Sequence, residues 1–352
     1  MASKKSAKDA SEVNAWLARI KHAEKIRNEA DEKYGYTRSL KQYQGDYRST
    51  MPSFISNVDL IPINEVYAYA KAFVPSVYSR NPHISVNPQG RKWIGAAKMT
   101  ELAVSAYWRD LRLKKEIRRI IFDAIFFEGW MKVGFTAALG EDEKKEGEPA
   151  ADPSEFIKRE EIFAKRVSPQ NMVRDPDSVN GIHDARWLAQ RIIMPLEAAQ
   201  ASSLYENTGN LKASFTARFD TEAGKLDQDF VSIWEAWDKD SERVYALSEG
   251  TQEWLWKPKS WPYKMDGFGH VLMRFNENPD ECYAPNLIEP WIHQLWEKMK
   301  IRAMQLDHLK RFNRQMQSPK GTLSPAEKAK FTSGLTGALI EFDSQKSPGG
   351  IT

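Results

Sequence analysis

A single cysteine, Cys282, stands in a chain of 352 residues. That excludes an intrachain disulfide and a cysteine-based zinc cluster, and it fits a reducing compartment. Long apolar runs are also missing. The greasiest stretch, IIFDAIFF from Ile120, is cut by Asp123, well short of the ~18–20 apolar residues that a membrane span needs. Behind the lysines of MASKKSAKDASE lies no apolar core, so a short solvated tail is expected rather than a secretory signal. These absences lead to the expectation of a soluble intracellular product with no membrane partner. The formal net charge is only +3. It lacks the global basic signature of a nucleic-acid binder, so any DNA contact has to be local. There is no internal repeat. No Gly-x-x-x-x-Gly-Lys-Ser/Thr or Gly-x-Gly-x-x-Gly loop opens a helix, and no Gly-x-Ser-x-Gly elbow or His-Glu-x-x-His pair occurs. The six histidines are scattered.

What the chain does have is aromatic surface. It carries twelve tryptophans within 41% hydrophobic and 28% charged residues. Such side chains bury large areas at low entropic cost, in a core or at a subunit interface. Residues 11–33 set Val13, Trp16, Leu17, Ile20, Ala23 and Ile26 near one helical face. A second amphipathic segment, NEVYAYAKAFVPSVYS, starts at Asn64 and gives way to an extended piece between prolines, RNPHISVNPQG. From Trp93 a long helical region runs toward Gly129, with WMKVGFTAAL as a strand beyond it. Residues 140–160 read as an exposed charged loop. Ile162–Val167 reads as a strand, ARWLAQRIIM alternates as a strand, and Pro195-Leu196-Glu197 opens a helix. Residues 207–228 read as a polar connection. VSIWEAWDKD, RVYALSEG, EWLWKPKSWPY and GHVLMRFNENP then resemble successive antiparallel strands. Leu287 to Met316 supports one helix of ~30 residues, or ~45 Å, with Pro290 in its first turn. A short helix capped at Ser324 and a strand over Ala338–Phe342 close the pattern.

Two groups of residues invite a chemical reading. In VSPQNMVRDPDSVNGIHDARW, Asp175 and Asp177 could offer oxygens to a hard cation, with Asn180 and Asp184 completing the shell and His183 nearby. The spacing lacks the closing glutamate of an EF-hand. Asp-Pro and Asn-Gly are also ordinary turn chemistry, because these side chains mimic backbone bonds. The second group is the cations of the long helix, Lys298, Lys300, Arg302, Lys310, Arg311 and Arg314, partly offset by Glu297 and Asp307. They suit either a solvated face or contact with a phosphate backbone.

Several segments, taken in order from Asn64 to Glu297, resemble the portal proteins of tailed bacteriophages, the head-to-tail connectors. NEVYAYAKAFVPSVYSRNPHISVNP resembles that family's helix ending in a Pro-x-Ile-x-Val-x-Pro strand. Helix 117–128 followed by GWMKVGFTAAL resembles its helix, Gly, Lys-Val-Gly step. VSPQNMVRDPDSVNGIHDARWLAQRIIMPLE, SIWEAWDKDSERVYAL and HVLMRFNENPDECYAPNLIEPWIHQLWE resemble its later landmarks. The resemblance implies an α+β wing domain, a long stem helix and a small α/β clip. The implied borders are 1–50 for an N-terminal helical arm, 51–283 for the wing, 284–317 for the first stem helix and 318–352 for the clip. The second stem helix and the crown are expected to be absent, since the chain stops at SPGGIT.

The same resemblance implies a ring, usually of twelve copies, at one capsid vertex of the virion, assembled in the host cytoplasm. Double-stranded DNA would pass through it without sequence readout, driven by a separate terminase. Capsid or scaffolding protein and a head-completion or tail adaptor would be the other partners. On this reading the six cations above are the DNA-facing candidates. Trp291, Leu295, Met299, Leu306 and Leu309 are the candidates for stem packing or the oligomer interface. No catalytic residue, metal or cofactor is expected. Two alternatives stand beside it: another phage structural or DNA-binding protein, and a metal-dependent hydrolase built on Asp175, Asp177, His183 and Asp184.

Overall fold

The computed structural model describes residues 2–50, 62–80, 82, 84–139, 157–202, 204–221, 224–261, 267–312, 316–325 and 339–342. The fold is mixed α+β, with antiparallel sheets forming the body. The chain divides into two compact units, residues 1–40 with 68–290, and residues 41–67 with 291–352. These limits differ from the expected borders at 50, 283 and 317.

In the first unit, helix α1 (Ala2–Tyr34) presents Val13, Trp16, Ile20 and Ala23, all buried, at steps of three and four. The lysine-rich start that reads as a solvated tail is part of this helix. Its Ala and Lys residues are good helix formers. The stripe lies on a six-stranded sheet built from β3 (Met172–Arg174), β4 (Trp187–Pro195), β5 (Phe215–Thr221), β6 (Gly224–Asp238), β7 (Arg243–Ser248) and β8 (Trp256–Ser260). Trp187, Ala189, Trp234, Ala236, Tyr245 and Leu247 meet the helix there. Alternation puts Leu188 and Trp237 on the opposite face, where they pack with Trp130. Each such large side chain stabilises the fold by roughly 1.5–3 kcal/mol when fully buried.

Trp130 belongs to a smaller antiparallel sheet, in the order β2 (Ile157–Val167), β1 (Gly129–Leu139), β9 (His270–Met273). Helix α5 (Leu113–Phe126) packs on β1 and β2. It comes so close to Gly129 that a Cβ there would run into the Ile120 carbonyl. The helical region expected from Trp93 onward is in fact two helices. α4 (Ile94–Asp110) ends where Arg112 adopts a left-handed conformation, φ 51°, before α5 begins. Neither Gly nor Pro marks this break. Backbone bonds from Leu111 N to Tyr107 O and from Arg112 N to Arg109 O close the end of α4.

Three other expectations change in this unit. The connection expected over 207–228 contains a hairpin, β5 against β6, registered from Phe215 opposite Phe230 to Thr221 opposite Gly224. Strand β2 starts at Ile157, inside the expected loop 140–160; residues 140–156 lie outside the described residues. Residues 84–88, which the resemblance implies as a strand, belong to no sheet among the described residues. The helices opening at Glu65 (α3, Glu65–Val77) and Leu196 (α6, Leu196–Ala201) fall where their sequence signals place them.

The second unit holds helix α7 (Ile292–Phe312), 21 residues or ~32 Å long. It is shorter at both ends than the helix expected over Leu287–Met316. At its start the Asn286 carboxamide oxygen accepts the N–H groups of Ile288 (2.9 Å) and Glu289 (2.7 Å). Glu289–Trp291 around Pro290 then form a separate tight turn. At the far end Met316 belongs to strand β10 (Met316–Pro319), paired in parallel with β11 (Leu339–Phe342). The expected strand is thus present, with a partner that the sequence did not suggest. The short helix expected from Ser324 falls mainly on residues 326–338, outside those described. Elsewhere in this unit Asn64 donates to the Tyr43 carbonyl and accepts from Tyr47 Oη, and Tyr43 stacks on Tyr67. Helix α2 (Tyr36–Tyr43) leads into that segment.

Candidate functional site

The aspartate-rich segment between β3 and β4 is a turn organised around one arginine. Asp175 sits at the end of β3, its N–H bonded to the Trp187 carbonyl at 3.0 Å. Its carboxylate accepts from Arg186 Nε (2.5 Å), Arg186 Nη2 (3.1 Å), the Arg186 N–H and the Asp177 N–H (both 3.3 Å). The same guanidinium reaches Asp177 Oδ2 at 2.6 Å. Burial pushes the Asp175 carboxyl up, but the bonds from Arg186 and the two backbone N–H groups outweigh it and hold it below the usual carboxylate range. Asp184 is turned to Asn180, whose N–H it accepts at 3.2 Å, and His183 is exposed. Gly181, at φ 74°, supplies the left-handed step. Of the four residues of the hydrolase alternative, Asp175 and Asp177 therefore share Arg186, Asp184 faces Asn180 and His183 has no carboxylate partner in the turn. Among the described residues no group of three His, Cys, Asp or Glu could hold a metal ion.

Beneath this turn lies a buried junction that sequence reading missed. Arg174, with 1% of its side chain exposed, donates to the Glu128 carboxylate and to the Cys282 carbonyl. Its guanidinium lies over the Tyr283 ring at 4.6 Å and over Trp130 at 5.9 Å. Burial alone would lower its pKa, but the Glu128 charge wins and raises it. Ser178 Oγ bonds the Asp175 carbonyl at 2.6 Å and lies 3.7 Å from Cys282 Sγ. The lone cysteine is buried, and burial pushes its thiol up, away from the reactive thiolate. The junction ties β3, the α5–β1 step and the segment before α7 by charge and hydrogen bonds. Only the linear separation of Glu128, Arg174 and Cys282 hid it.

A second polar layer lies between the two sheets. Lys132 pairs with Glu235 at 2.5 Å, and Trp237 Nε1 donates to the same oxygen at 2.7 Å. His270 Nε2 meets Gln190 Oε1 at 3.2 Å. Burial and the Lys132 charge lower the His270 pKa to about 3, so the ring is neutral at ordinary pH. None of these groups lies exposed to a substrate; they join packed layers.

The cations of α7 do not converge on one face. Lys298 and Arg302 are four residues apart on one ridge, while Lys300 lies roughly 160° around the helix from both by the 100° step. Lys298 is paired with Glu65. Lys310 and Arg311 lie in the last turn, and Arg314 falls outside the described residues. Among the packing candidates, Leu295 and Met299 are buried together with Ile292 and Ala303. Trp291 and Leu306 are half-buried. Leu309 is 64% exposed and does not belong to that stripe; Ile301 and Met304 are exposed as well.

Helix α4 is exposed along most of its length. Of its residues only Ala97 is buried. Trp93, Ile94, Met99, Leu102 and Tyr107 are between 45% and 69% exposed. No helix of the described residues is long and apolar enough to cross a membrane. No protein-family model matches the chain, and no curated protein does.

Proposed function

We propose that this chain is a portal-type subunit that assembles with copies of itself into a ring around a DNA channel. On this reading the first unit is the wing, α7 is the stem helix, and β10 and β11 belong to the clip. The ring occupies one vertex of a phage capsid, admits double-stranded DNA during packaging and releases it on infection. It serves as the attachment point for terminase and for a tail adaptor, and it performs no catalysis itself.

The order of sequence landmarks from Asn64 to Glu297 supports this reading. The observation that carries it is the unsatisfied apolar surface of the single chain. Trp93 just before α4, Met99 and Leu102 on α4, and Ile301, Met304 and Leu309 on α7, are exposed. Exposed apolar patches of this kind mark association surfaces in folded proteins. The scattered cations of α7 suit a channel that holds DNA weakly through its backbone, with no base contacts. The hydrolase alternative loses its support, because Asp175 and Asp177 are occupied by Arg186 and Asp184 by Asn180.

Negative-stain electron microscopy of the purified chain tests the reading. Annular particles with a central channel are expected; a field of single-chain particles at every concentration would overturn it.

A further inference from the structure

The elbow between α4 and α5 combines exposed apolar residues with unpartnered positive charge. Met99, Leu102 and Tyr107 lie on α4, and Arg109, Arg112, Lys114, Lys115 and Arg118 follow at its end and on the first turns of α5, all exposed. None of these five cations has an ion-pair partner among the described residues, whereas the neighbouring Arg119 is paired with Glu116 at 3.0 Å. The bend exists because Arg112 takes up a left-handed conformation that costs a non-glycine residue energy. The bend thus gathers five exposed cations around one exposed acid, Asp110, and none of the five is ion-paired among the described residues.

The same unit carries a surface of opposite sign around α6 and β5. Ile193, Leu204 and Phe215 are 43%, 69% and 44% exposed. Around them Glu197 and Glu206 are exposed and have no ion-pair partner among the described residues. Asp229, opposite Thr216 in the hairpin, accepts only that hydroxyl at 2.6 Å. The two surfaces share no element: α4 packs on α5, whereas α6 packs on β4 and β6. Each joins exposed apolar residues to charges of one predominant sign, and the two signs are complementary.

We infer that the α4–α5 elbow of one copy docks on the α6–β5 surface of a second copy, head to tail. Two different patches on one chain are what a heterologous contact requires, and a heterologous contact that closes generates a ring. A twofold contact centred on the elbow would instead bring the basic corner against itself, which like charges oppose. A twofold that paired the two surfaces reciprocally would stop at a dimer, whose mass in solution would overturn the head-to-tail seam. The inference rests on the ring reading above and names the surfaces that would make the seam.

Charge exchange across the seam tests it, read as particle mass in solution. The full chain carrying Arg112→Glu and Lys115→Glu should lose assembly, with the midpoint concentration raised at least about tenfold. Adding Glu197→Lys and Glu206→Lys to that chain should restore it. Because all four positions are exposed, circular dichroism and the urea midpoint should not move. Rings that form equally well from the Arg112→Glu, Lys115→Glu chain would overturn the seam while leaving the ring reading intact. A wild-type chain that never assembles removes both. If Leu102→Glu abolishes binding to anionic lipid vesicles but leaves assembly unchanged, the elbow faces a membrane and the inference fails.

Discussion

Arg174 and Arg112 lie in the same unit and carry the same charge, but their surroundings differ completely. Arg174 is 1% exposed and held by Glu128, the Cys282 carbonyl and the Tyr283 ring. Arg112 is exposed at a helix break, among cations that have no ion-pair partner among the described residues. A buried guanidinium must be matched group by group, since an uncompensated interior charge costs several kcal/mol. An exposed one is hydrated and is free to be matched by another molecule. The junction therefore bears on whether the first unit folds, and the elbow, on the proposed reading, on what the folded unit docks with.

The sharpest way to break this comparison is to remove the buried cation. Arg174→Ala leaves Glu128 charged and enclosed and should cost about 3–5 kcal/mol in a urea titration. A cost below about 1 kcal/mol would mean that the junction does not organise the unit. Gly129→Ala comes next. The added methyl meets the Ile120 backbone where α5 turns into β1, an overpacking expected to cost about 1–3 kcal/mol. An unchanged urea midpoint would show that the α5–β1 step yields readily.

The third effect depends on pH. His270 stays neutral in the fold down to about 3, because burial and Lys132 disfavour its charged form. The unfolded chain takes up that proton near pH ~6.5. The unfolded state therefore binds more protons between these values, and stability should fall as pH drops, by up to about 1.4 kcal/mol per pH unit. The depressed Asp175 carboxyl adds a loss of the same sign only below pH ~4. His270→Gln should flatten the curve above pH 4; an unaltered curve would place the titration elsewhere. The smallest effect is expected for Asp177→Asn. Its carboxylate is 80% exposed in a surface pair with Arg186, and such pairs contribute little. Neither the urea midpoint nor a calorimetric trace on adding Mg²⁺ should change, and a binding heat lost in the variant would revive a metal site.

Much of the first unit is legible in the sequence, because its signals are local. The three-and-four spacing of α1, the alternation of β4 and the proline before α6 each specify a structure from neighbours alone. The β5–β6 hairpin escapes because it has little apolar alternation: Thr216, Arg218, Asp227 and Asp229 meet across it as polar pairs. The α4–α5 break escapes because no glycine or proline announces it. For the turn, the Asp-Pro and Asn-Gly pairs at Asp175, Asp177 and Asn180 announce turn chemistry. The residue that organises it, Arg186, and the buried Arg174 beside it gain their roles only from distant partners. On α7 the periodicity identifies Leu295 and Met299 as packing residues. Leu309, on the same list of candidates, lies instead on the exposed side of the helix with Ile301 and Met304, because the expected helix mixed two stripes, one buried and one exposed.

The central claim is that the exposed apolar and charged surfaces of this chain are completed by other copies of it. Sedimentation velocity of the wild-type chain, run over a wide concentration range, tests that claim most directly. The account predicts one large, closed species in equilibrium with monomer and no ladder of ever longer polymers. A single monomer boundary at all concentrations would contradict it.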